Sequence, residues 1–154
     1  MPFYGTLFWV IVNAMPLLRV LLVDDNPTDR ILAIEAFADY EPTVELTVCS
    51  SGGEALEYMH QHEGRLPDVL LLDINMPIMT GLELLKHMKQ EPLLAHIPVV
   101  MLTTSGAIDD VRQAYRLQAS SYLVKASSFS NFLAQIESFI TYWKGNRFRD
   151  SPTA

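Results

Sequence analysis

The chain alternates five times between a short apolar run and a longer segment with helical spacing. The apolar runs, in order, are RVLLV, VELTVC, VLLL, PVVMLT and SYLVK. The segments with helical spacing follow them at residues 27–38, 52–62, 82–90, 108–117 and 131–144. Because a strand followed by a crossover helix is the repeating unit of parallel sheets, the sequence predicts an α/β fold of the form (βα)5.

The composition of the apolar runs predicts where each strand lies in the sheet. The first, third and fourth runs are continuous series of leucine and β-branched residues, which is typical of strands buried on both faces. The second run alternates instead, with Val44, Leu46 and Val48 against Glu45 and Thr47, and is therefore expected at an edge. Together with right-handed crossovers, these features favour a doubly wound parallel sheet with the flavodoxin-like strand order 2-1-3-4-5.

The length of 154 residues suits one domain, which we place at residues 17–144, followed by a C-terminal tail at 145–154. Residues 1–16 form an uncharged extension with an apolar run at 7–12. That run is shorter than the roughly 20 residues that a membrane span needs, so no membrane partner is predicted. Three explanations of the extension stay open: a start codon upstream of a natural Met15, packing on the domain or a partner, and membrane contact.

The charge argues against a nucleic-acid-binding protein, and the cysteine content argues against a disulfide-stabilised or zinc-binding one. The formal net charge of −7 and the pI of about 4.9 oppose attraction to a phosphate backbone, so no nucleic-acid partner is expected and a cation is favoured. Cys49 is the single cysteine, which excludes a disulfide framework and a zinc-type cysteine pair. The sequence therefore fits the reducing cytoplasm, with Cys49 as a small buried residue at a strand end.

Acidic residues follow two of the predicted strands. Asp24 and Asp25 come directly after the first apolar run, and Asp73 comes directly after the third. In the order 2-1-3 these strand ends are neighbours at the point where the chain reverses direction, which is where open α/β sheets bind ligands. Like charges about 4 Å apart repel by about 4 kcal/mol at an effective dielectric near 20. The sequence therefore predicts a cation at this edge, and oxygen ligands point to Mg²⁺.

Two further strand ends bring a hydroxyl and an ammonium to the same edge. The fourth run ends at Thr103 and the fifth at Lys125. An ionised aspartate is a nucleophile without a general base and forms aspartyl-phosphates. Phosphoryl transfer to Asp73 would use the metal, Lys125 and a hydroxyl on the phosphoryl oxygens. Taken singly, Asp25 could belong to a helix cap with Asn26 and Lys125 could be a surface lysine; their shared edge favours the functional interpretation.

These five side chains resemble the receiver domain of bacterial two-component response regulators, over residues 17–143. The resemblance implies that Asp73 is the phosphoacceptor and that Asp24, Asp25 and the backbone carbonyl of Asn75 complete a Mg²⁺ site with it. It further implies that Thr103 is the switch hydroxyl, that Lys125 contacts the phosphoryl group and that Tyr122 changes rotamer on activation. The implied donor is a phosphohistidine on a sensor histidine kinase, and the only reactions expected are the domain's own phosphorylation and dephosphorylation, so the chain is not predicted to be an enzyme. The resemblance covers nearly the whole chain and leaves no room for an output domain.

Three short sequence segments indicate a subgroup within this family. IPVVMLTTS, AYRLQASSYLVK and IESFITYW resemble single-domain regulators that pair with bacterial phytochrome kinases, while a chemotaxis-type stand-alone regulator stays open. One position departs from the family pattern, which has a proline after the lysine, usually with a cis peptide. Here Ala126 follows Lys125, and because a cis bond before a residue other than proline costs about 3–4 kcal/mol, this bond is expected to be trans.

The fifth helical segment is apolar over four turns, more than one sheet face needs. Its end, with Tyr142, Trp143 and Phe148, is expected to project apolar surface. With Ile108, Val111 and Tyr115 of the fourth helix it predicts a homodimer through the fourth helix, fifth strand and fifth helix.

Two competing functions belong to other classes. A metal-dependent phosphohydrolase would need a second acid where Asn75 stands, and a cap insertion that this chain does not have. A phosphate-independent binding module would not need the complete acid cluster. Both are less favoured than a phosphorylation-driven switch.

Overall fold

The computed structural model describes residues 17–146 and shows a five-stranded parallel sheet in the order β2-β1-β3-β4-β5. The strands are β1 (Leu18–Val23), β2 (Val44–Cys49), β3 (Val69–Leu72), β4 (Val99–Thr103) and β5 (Ser121–Val124). The helices are α1 (Pro27–Ala38), α2 (Gly52–Gln61), α3 (Gly81–Gln90), α4 (Ile108–Arg116) and α5 (Phe129–Gly145), with a short 3-10 helix at Glu63–Arg65. The predicted flavodoxin-like fold and the edge position of the second strand are confirmed.

Successive residues of the central strands point to opposite faces of the sheet, and both faces are covered by helices. On one face, Leu21, Leu70 and Met101 pack with side chains of α2, α3 and α4. On the other face, Leu22 and Leu71 pack with side chains of α1 and α5. Burial on both faces explains why these strands read as continuous apolar runs.

Polar side chains fix where the helices begin. The Ser128 hydroxyl accepts a hydrogen bond from the Asn131 N–H at 3.2 Å, so α5 begins two residues before the predicted start at 131. Ser51 caps α2 as expected from its spacing to Glu54. The Glu54 carboxylate, however, turns to the Ser50 N–H and hydroxyl at 3.0 and 2.7 Å, one residue before the position that a capping box would use.

The prediction that the end of α5 projects apolar surface is wrong for Trp143, which is 5% exposed. α5 packs against α1 as well as the sheet: the rings of Phe37 and Phe139 meet edge to face at 6.2 Å, and Trp143 lies 6.4 Å from Phe139. This second neighbour uses the extra apolar positions of the helix. Tyr142 is exposed as predicted, and Phe148 lies outside the described residues.

The described residues also bear on the predictions for Cys49, for the Lys125–Ala126 peptide bond and for membrane-spanning segments. Cys49 is buried at the end of β2, and burial raises the pKa of its thiol to about 12. The described residues contain one cis peptide, Glu41–Pro42, so the Lys125–Ala126 bond is trans. Within residues 17–146, no helix has the length and apolar character that crossing a membrane requires. The N-terminal extension at 1–16 and all but two residues of the tail at 145–154 lie outside the described residues.

Candidate metal centre

The register between β1 and β3 places two of the acids side by side. Val23 is paired with Leu72, so the next residues, Asp24 and Asp73, leave the sheet together. The Asp73 N–H donates to the Val23 carbonyl oxygen at 3.0 Å, which continues the ladder by one more bond. The backbone hydrogen bonds of the two strands therefore fix the spacing of the two carboxylates.

Asp24, Asp25 and Asp73 form one acidic cluster, with a carboxylate oxygen of each within 4.8 Å of the others. Asp24 and Asp73 are buried, and Asp25 is half-buried. At 4.8 Å two carboxylates repel by about 3.5 kcal/mol at an effective dielectric near 20, which a divalent cation would offset. Three carboxylate oxygens are hard ligands that suit Mg²⁺ or a similar ion, so the residues present fit the predicted metal.

In the segment after β1, Asn26 caps the next helix, whereas Asp24 and Asp25 belong to the acidic cluster. The Asn26 side chain accepts from the Thr28 and Asp29 N–H groups at 2.9 and 3.1 Å and caps α1. The Asn26 N–H donates to Asp24 Oδ1 at 2.9 Å, and Arg30 Nη1 donates to the Asp24 carbonyl oxygen at 2.9 Å. Capping is thus performed by Asn26, which leaves the carboxylates of Asp24 and Asp25 facing the cluster.

Lys125 reaches the same edge, where its ammonium contacts two carboxylates. Nζ donates to Asp24 Oδ2 and to Asp29 Oδ2, both at 2.9 Å. The Lys125 side chain is 10% exposed and that of Asp29 is 27% exposed. Sequence reasoning missed Asp29, because an acid in the first turn of a helix is expected for the helix dipole alone.

Burial and charge act in opposite directions on these groups. Burial raises the pKa of Asp73, and Asp24 adds to the rise, while a hydrogen bond with Thr103 and the charge of Lys125 oppose it. Burial lowers the pKa of Lys125, but the hydrogen bonds with Asp29 and Asp24 outweigh that effect, so the net shift is upward. Lys125 is therefore held as an ammonium, and Asp73 gains a proton more readily than an ordinary aspartate does in the absence of a cation.

A chain of hydrogen bonds leads from Thr103 to α4. Thr103 is fully buried, and its hydroxyl accepts from the Ser105 N–H at 3.3 Å. The Ser105 carbonyl oxygen accepts from the Tyr122 hydroxyl at 2.6 Å, and the Ser105 hydroxyl donates to Asp110 Oδ2 at 2.6 Å. Ser105 and Asp110 were not predicted; their five-residue spacing gives no local signal, and only the fold of the loop joins them.

The loop between β3 and α3 carries Asn75 and closes tightly over Asp73. Asn75 is exposed, and its N–H donates to Asp73 Oδ1 at 3.4 Å. The Gly81 N–H donates to the Ile74 carbonyl oxygen at 2.9 Å, and any side chain at Gly81 would collide with the carbonyl oxygen of Asp73. Ile78 is fully exposed with a φ of 70°, a conformation that is unusual for a β-branched residue.

Residues 20–137 match the sequence profile of the response regulator receiver domain. The probable methanogenesis regulatory protein FilR2 of Methanothrix harundinacea is 39% identical over 129 residues, which cover 82% of this chain and 83% of that protein. The response regulator Rcp1 of a Synechocystis species is 33% identical over 128 residues, covering 80% of this chain and 87% of Rcp1.

Solved structures show the same similarity. The phosphorylated form of the cyanobacterial phytochrome response regulator RcpA superposes with a TM-score of 0.77 at 33% identity, covering 82% of this chain and 94% of RcpA. The Mn²⁺-bound form of Rcp1 superposes with a TM-score of 0.74 at 31% identity, covering 88% of this chain and 99% of Rcp1.

Proposed function

Because the chain belongs to the response regulator receiver domain family, we propose that it is a phosphorylation-activated signalling switch that accepts a phosphoryl group on Asp73 with Mg²⁺. The single observation that carries the proposal is the meeting of Asp24, Asp25 and Asp73 within 4.8 Å at an edge that also holds Thr103 and Lys125. We place the receiver domain at residues 17–144. The single cysteine, Cys49, is a buried free thiol, which supports a reducing cytoplasmic location.

Asp73 acts as the nucleophile in the proposed reaction. One of its carboxylate oxygens attacks the phosphorus of a phosphohistidine, the P–N bond breaks, and the imidazole leaves with the electron pair. No general base is needed, because the ionised carboxylate has no proton to lose. Asp24, Asp25, Asp73 and the Asn75 backbone carbonyl would hold Mg²⁺, which when bound neutralises charge on the phosphoryl oxygens.

Lys125 supplies a second positive charge at the site. Its ammonium is buried and already paired with Asp24 and Asp29, so it is desolvated before the phosphoryl group arrives. A phosphoryl oxygen on Asp73 would compete with these two carboxylates for the ammonium. Because the flexible lysine stem lets the ammonium move while the backbone stays fixed, the exchange of partners needs no movement of β5.

The hydrogen-bonded chain from Thr103 to α4 is the proposed route of the signal. Movement of the Thr103 hydroxyl toward the phosphoryl group would remove the acceptor of the Ser105 N–H. Ser105 also holds Tyr122 through its carbonyl oxygen and Asp110 through its hydroxyl. One displacement of Ser105 would therefore alter both the Tyr122 rotamer and the start of α4. A switch requires an element with two arrangements, and we propose that Ser105, Tyr122 and the start of α4 form that element.

The proposed partner is a sensor histidine kinase. A groove of about 520 Å³ opens beside Lys125 between α1 and the segment after β5, lined by Leu32, Phe129 and Phe132 among others. The groove combines apolar side chains with hydroxyls and a buried ammonium, which suits a partner that presents a phosphohistidine beside an apolar surface. The similarity to RcpA and Rcp1 supports a bacterial phytochrome kinase as the donor. The higher identity to FilR2 makes a donor from another signalling system the alternative.

We also propose a homodimer through α4, β5 and α5. Ile108, Tyr115, Val124 and Tyr142 expose between 50% and 66% of their surface on these elements. Exposed large apolar side chains on neighbouring elements are a common feature of interfaces. Since Trp143 is buried, the proposed contact depends on Tyr142 and the α4 side chains. Sedimentation of wild type against a Tyr115→Glu variant tests the dimer, and a monomeric wild type at high concentration would exclude it.

The direct test of the function is labelling by a small phosphoryl donor such as acetyl phosphate with Mg²⁺. Wild type should incorporate phosphate that hydroxylamine and base release, as expected of an acyl phosphate, and Asp73→Asn should not. Asp39→Asn, an exposed acid after α1, is the matched control and should label normally. An unlabelled wild type would refute the proposal. Phosphotransfer from a panel of charged kinases, phytochrome kinases among them, then identifies the donor class.

A further inference from the structure

The side-chain amide of Gln135 binds the main chain on both sides of Lys125. Gln135 Oε1 accepts from the Ala126 N–H at 2.9 Å, and Gln135 Nε2 donates to the Val124 carbonyl oxygen at 2.8 Å. A primary amide has one acceptor and two donors, so the same planar group can satisfy both backbone groups. Lys125 is the residue enclosed between them.

The Gln135 amide binds the open side of β5, where another strand would bind if the sheet continued. In the described sheet β5 is an edge strand whose partner is β4. The Lys125 N–H faces that partner and donates to the Thr103 carbonyl oxygen at 2.8 Å. The groups of Val124 and Ala126 face the opposite side, where no described strand supplies partners. Gln135, in the second turn of α5, supplies both a donor and an acceptor there.

We propose that Gln135 is a positioning residue for phosphoryl transfer, acting through Lys125. The inference rests on the proposed function of Asp73 and names a residue that supports it. The lysine stem is flexible, so the ammonium can only be aimed if its Cα is fixed. The Lys125 N–H binds the Thr103 carbonyl oxygen on one side, and the flanking backbone groups bind Gln135 on the other, which fixes that Cα between β4 and α5. A displacement of about 1 Å at a reacting group costs up to roughly a hundredfold in rate.

The alanine at position 126 gives Gln135 a backbone donor to bind. Ala126 carries an N–H that needs an acceptor, whereas a proline at this position would have none. Without Gln135 this N–H would lose its protein partner at the point where the chain turns from β5 toward α5. The expected result is a looser backbone at Lys125 and not the loss of the acidic cluster, since Gln135 makes no contact with Asp24, Asp25 or Asp73 among the described hydrogen bonds.

The test compares Gln135→Ala with Gln61→Ala, an exposed glutamine at the end of α2 whose side chain donates to Glu57 Oε1 at 3.3 Å. Two quantities are measured: the rate of phosphoryl uptake from acetyl phosphate, and the Mg²⁺ dissociation constant by calorimetry. Gln135→Ala should slow uptake about tenfold and leave the Mg²⁺ dissociation constant within twofold of wild type. Gln61→Ala should leave both unchanged. Thermal unfolding confirms that each variant is folded at the assay temperature.

A second comparison distinguishes action through Lys125 from a general structural role. In a Lys125→Ala background, Gln135→Ala should cause no further loss of uptake rate, because the side chain that it positions is gone. An equal loss in both backgrounds would overturn the inference, and so would normal uptake by Gln135→Ala or a parallel loss of Mg²⁺ affinity. Failure of wild type itself to take up phosphate would instead refute the proposed function, which keeps the two failures distinct.

Discussion

The Lys125 ammonium lies 2.9 Å from a carboxylate oxygen of Asp24 and 2.9 Å from one of Asp29. One of these acids belongs to the acidic cluster and the other to the first turn of α1. The lysine thus joins β5 to the segment after β1, across the two strands between them. Before phosphorylation, the Lys125 ammonium is paired with Asp24 and Asp29. These carboxylates must release the ammonium before it can contact a phosphoryl group on Asp73.

Removing the α1 partner should make Lys125 easier to release. Asp29→Asn is expected to speed phosphoryl uptake from a small donor by roughly two- to fivefold, because a partly exposed ion pair is worth about 0.2–1 kcal/mol. Initial labelling rates measure the effect. Glu35→Gln, an exposed acid on the same helix, is the control and should label at the wild-type rate. Slower uptake by Asp29→Asn would show that Asp29 assists Lys125 and does not compete for it.

The upward shift in the pKa of Asp73 predicts a pH-dependent stability difference. Because the folded state binds this proton more tightly than the unfolded chain, ionised Asp73 costs stability above the raised pKa, and the cost disappears below the ordinary aspartate pKa. Without Mg²⁺, Asp73→Asn should therefore raise the free energy of unfolding at pH 7 by about 1–3 kcal/mol. Urea unfolding should show a smaller gain near pH 4. A gain that grows as the pH falls would contradict this account of the cluster.

A divalent cation should stabilise the fold through the same carboxylates. Mg²⁺ at a hundredfold excess over its dissociation constant adds about 2.7 kcal/mol to the free energy of unfolding, which thermal unfolding with and without the ion measures. Asp25→Asn should lose most of this gain, since it removes a ligand but keeps the Asp24–Lys125 pair. Asp109→Asn, an exposed acid on α4, should keep it. A similar gain from sodium at equal ionic strength would indicate simple charge screening.

The close approach at Gly81 predicts a selective cost of adding one methyl group. Gly81→Ala places a Cβ against the carbonyl oxygen of Asp73, and overpacking of this kind costs about 1–3 kcal/mol. Phosphoryl uptake should also fall, since Asp73 must shift. Gly53→Ala meets nothing within 4 Å and lies in α2, where alanine is favoured over glycine by about 0.5–1 kcal/mol. Equal stability of the two variants in urea would exclude the predicted clash.

Some parts of the site could be predicted from the sequence because they follow from the local pattern of residues, whereas others depend on contacts between distant segments. Asp24, Asp25 and Asp73 could be placed from sequence because each directly follows an apolar run, and strand order then makes them neighbours. Asp29 could not, since its first-turn position already has a local explanation. Trp143 was predicted to be exposed because helical spacing does not tell how many neighbours a helix has, and α1 supplies a second one.

The sequence by itself determined the (βα)5 order, the parallel sheet and the edge at which acids, hydroxyl and lysine gather, because these follow from apolar periodicity and from the rule that parallel strands end on one side. Tertiary structure alone decided which charges pair with Lys125, how Ser105 joins Tyr122 to α4, and that Gln135 holds the backbone around Lys125. Those contacts join residues on different elements. Their distances depend on how helices pack on the sheet, which the spacing of residues along one segment does not specify.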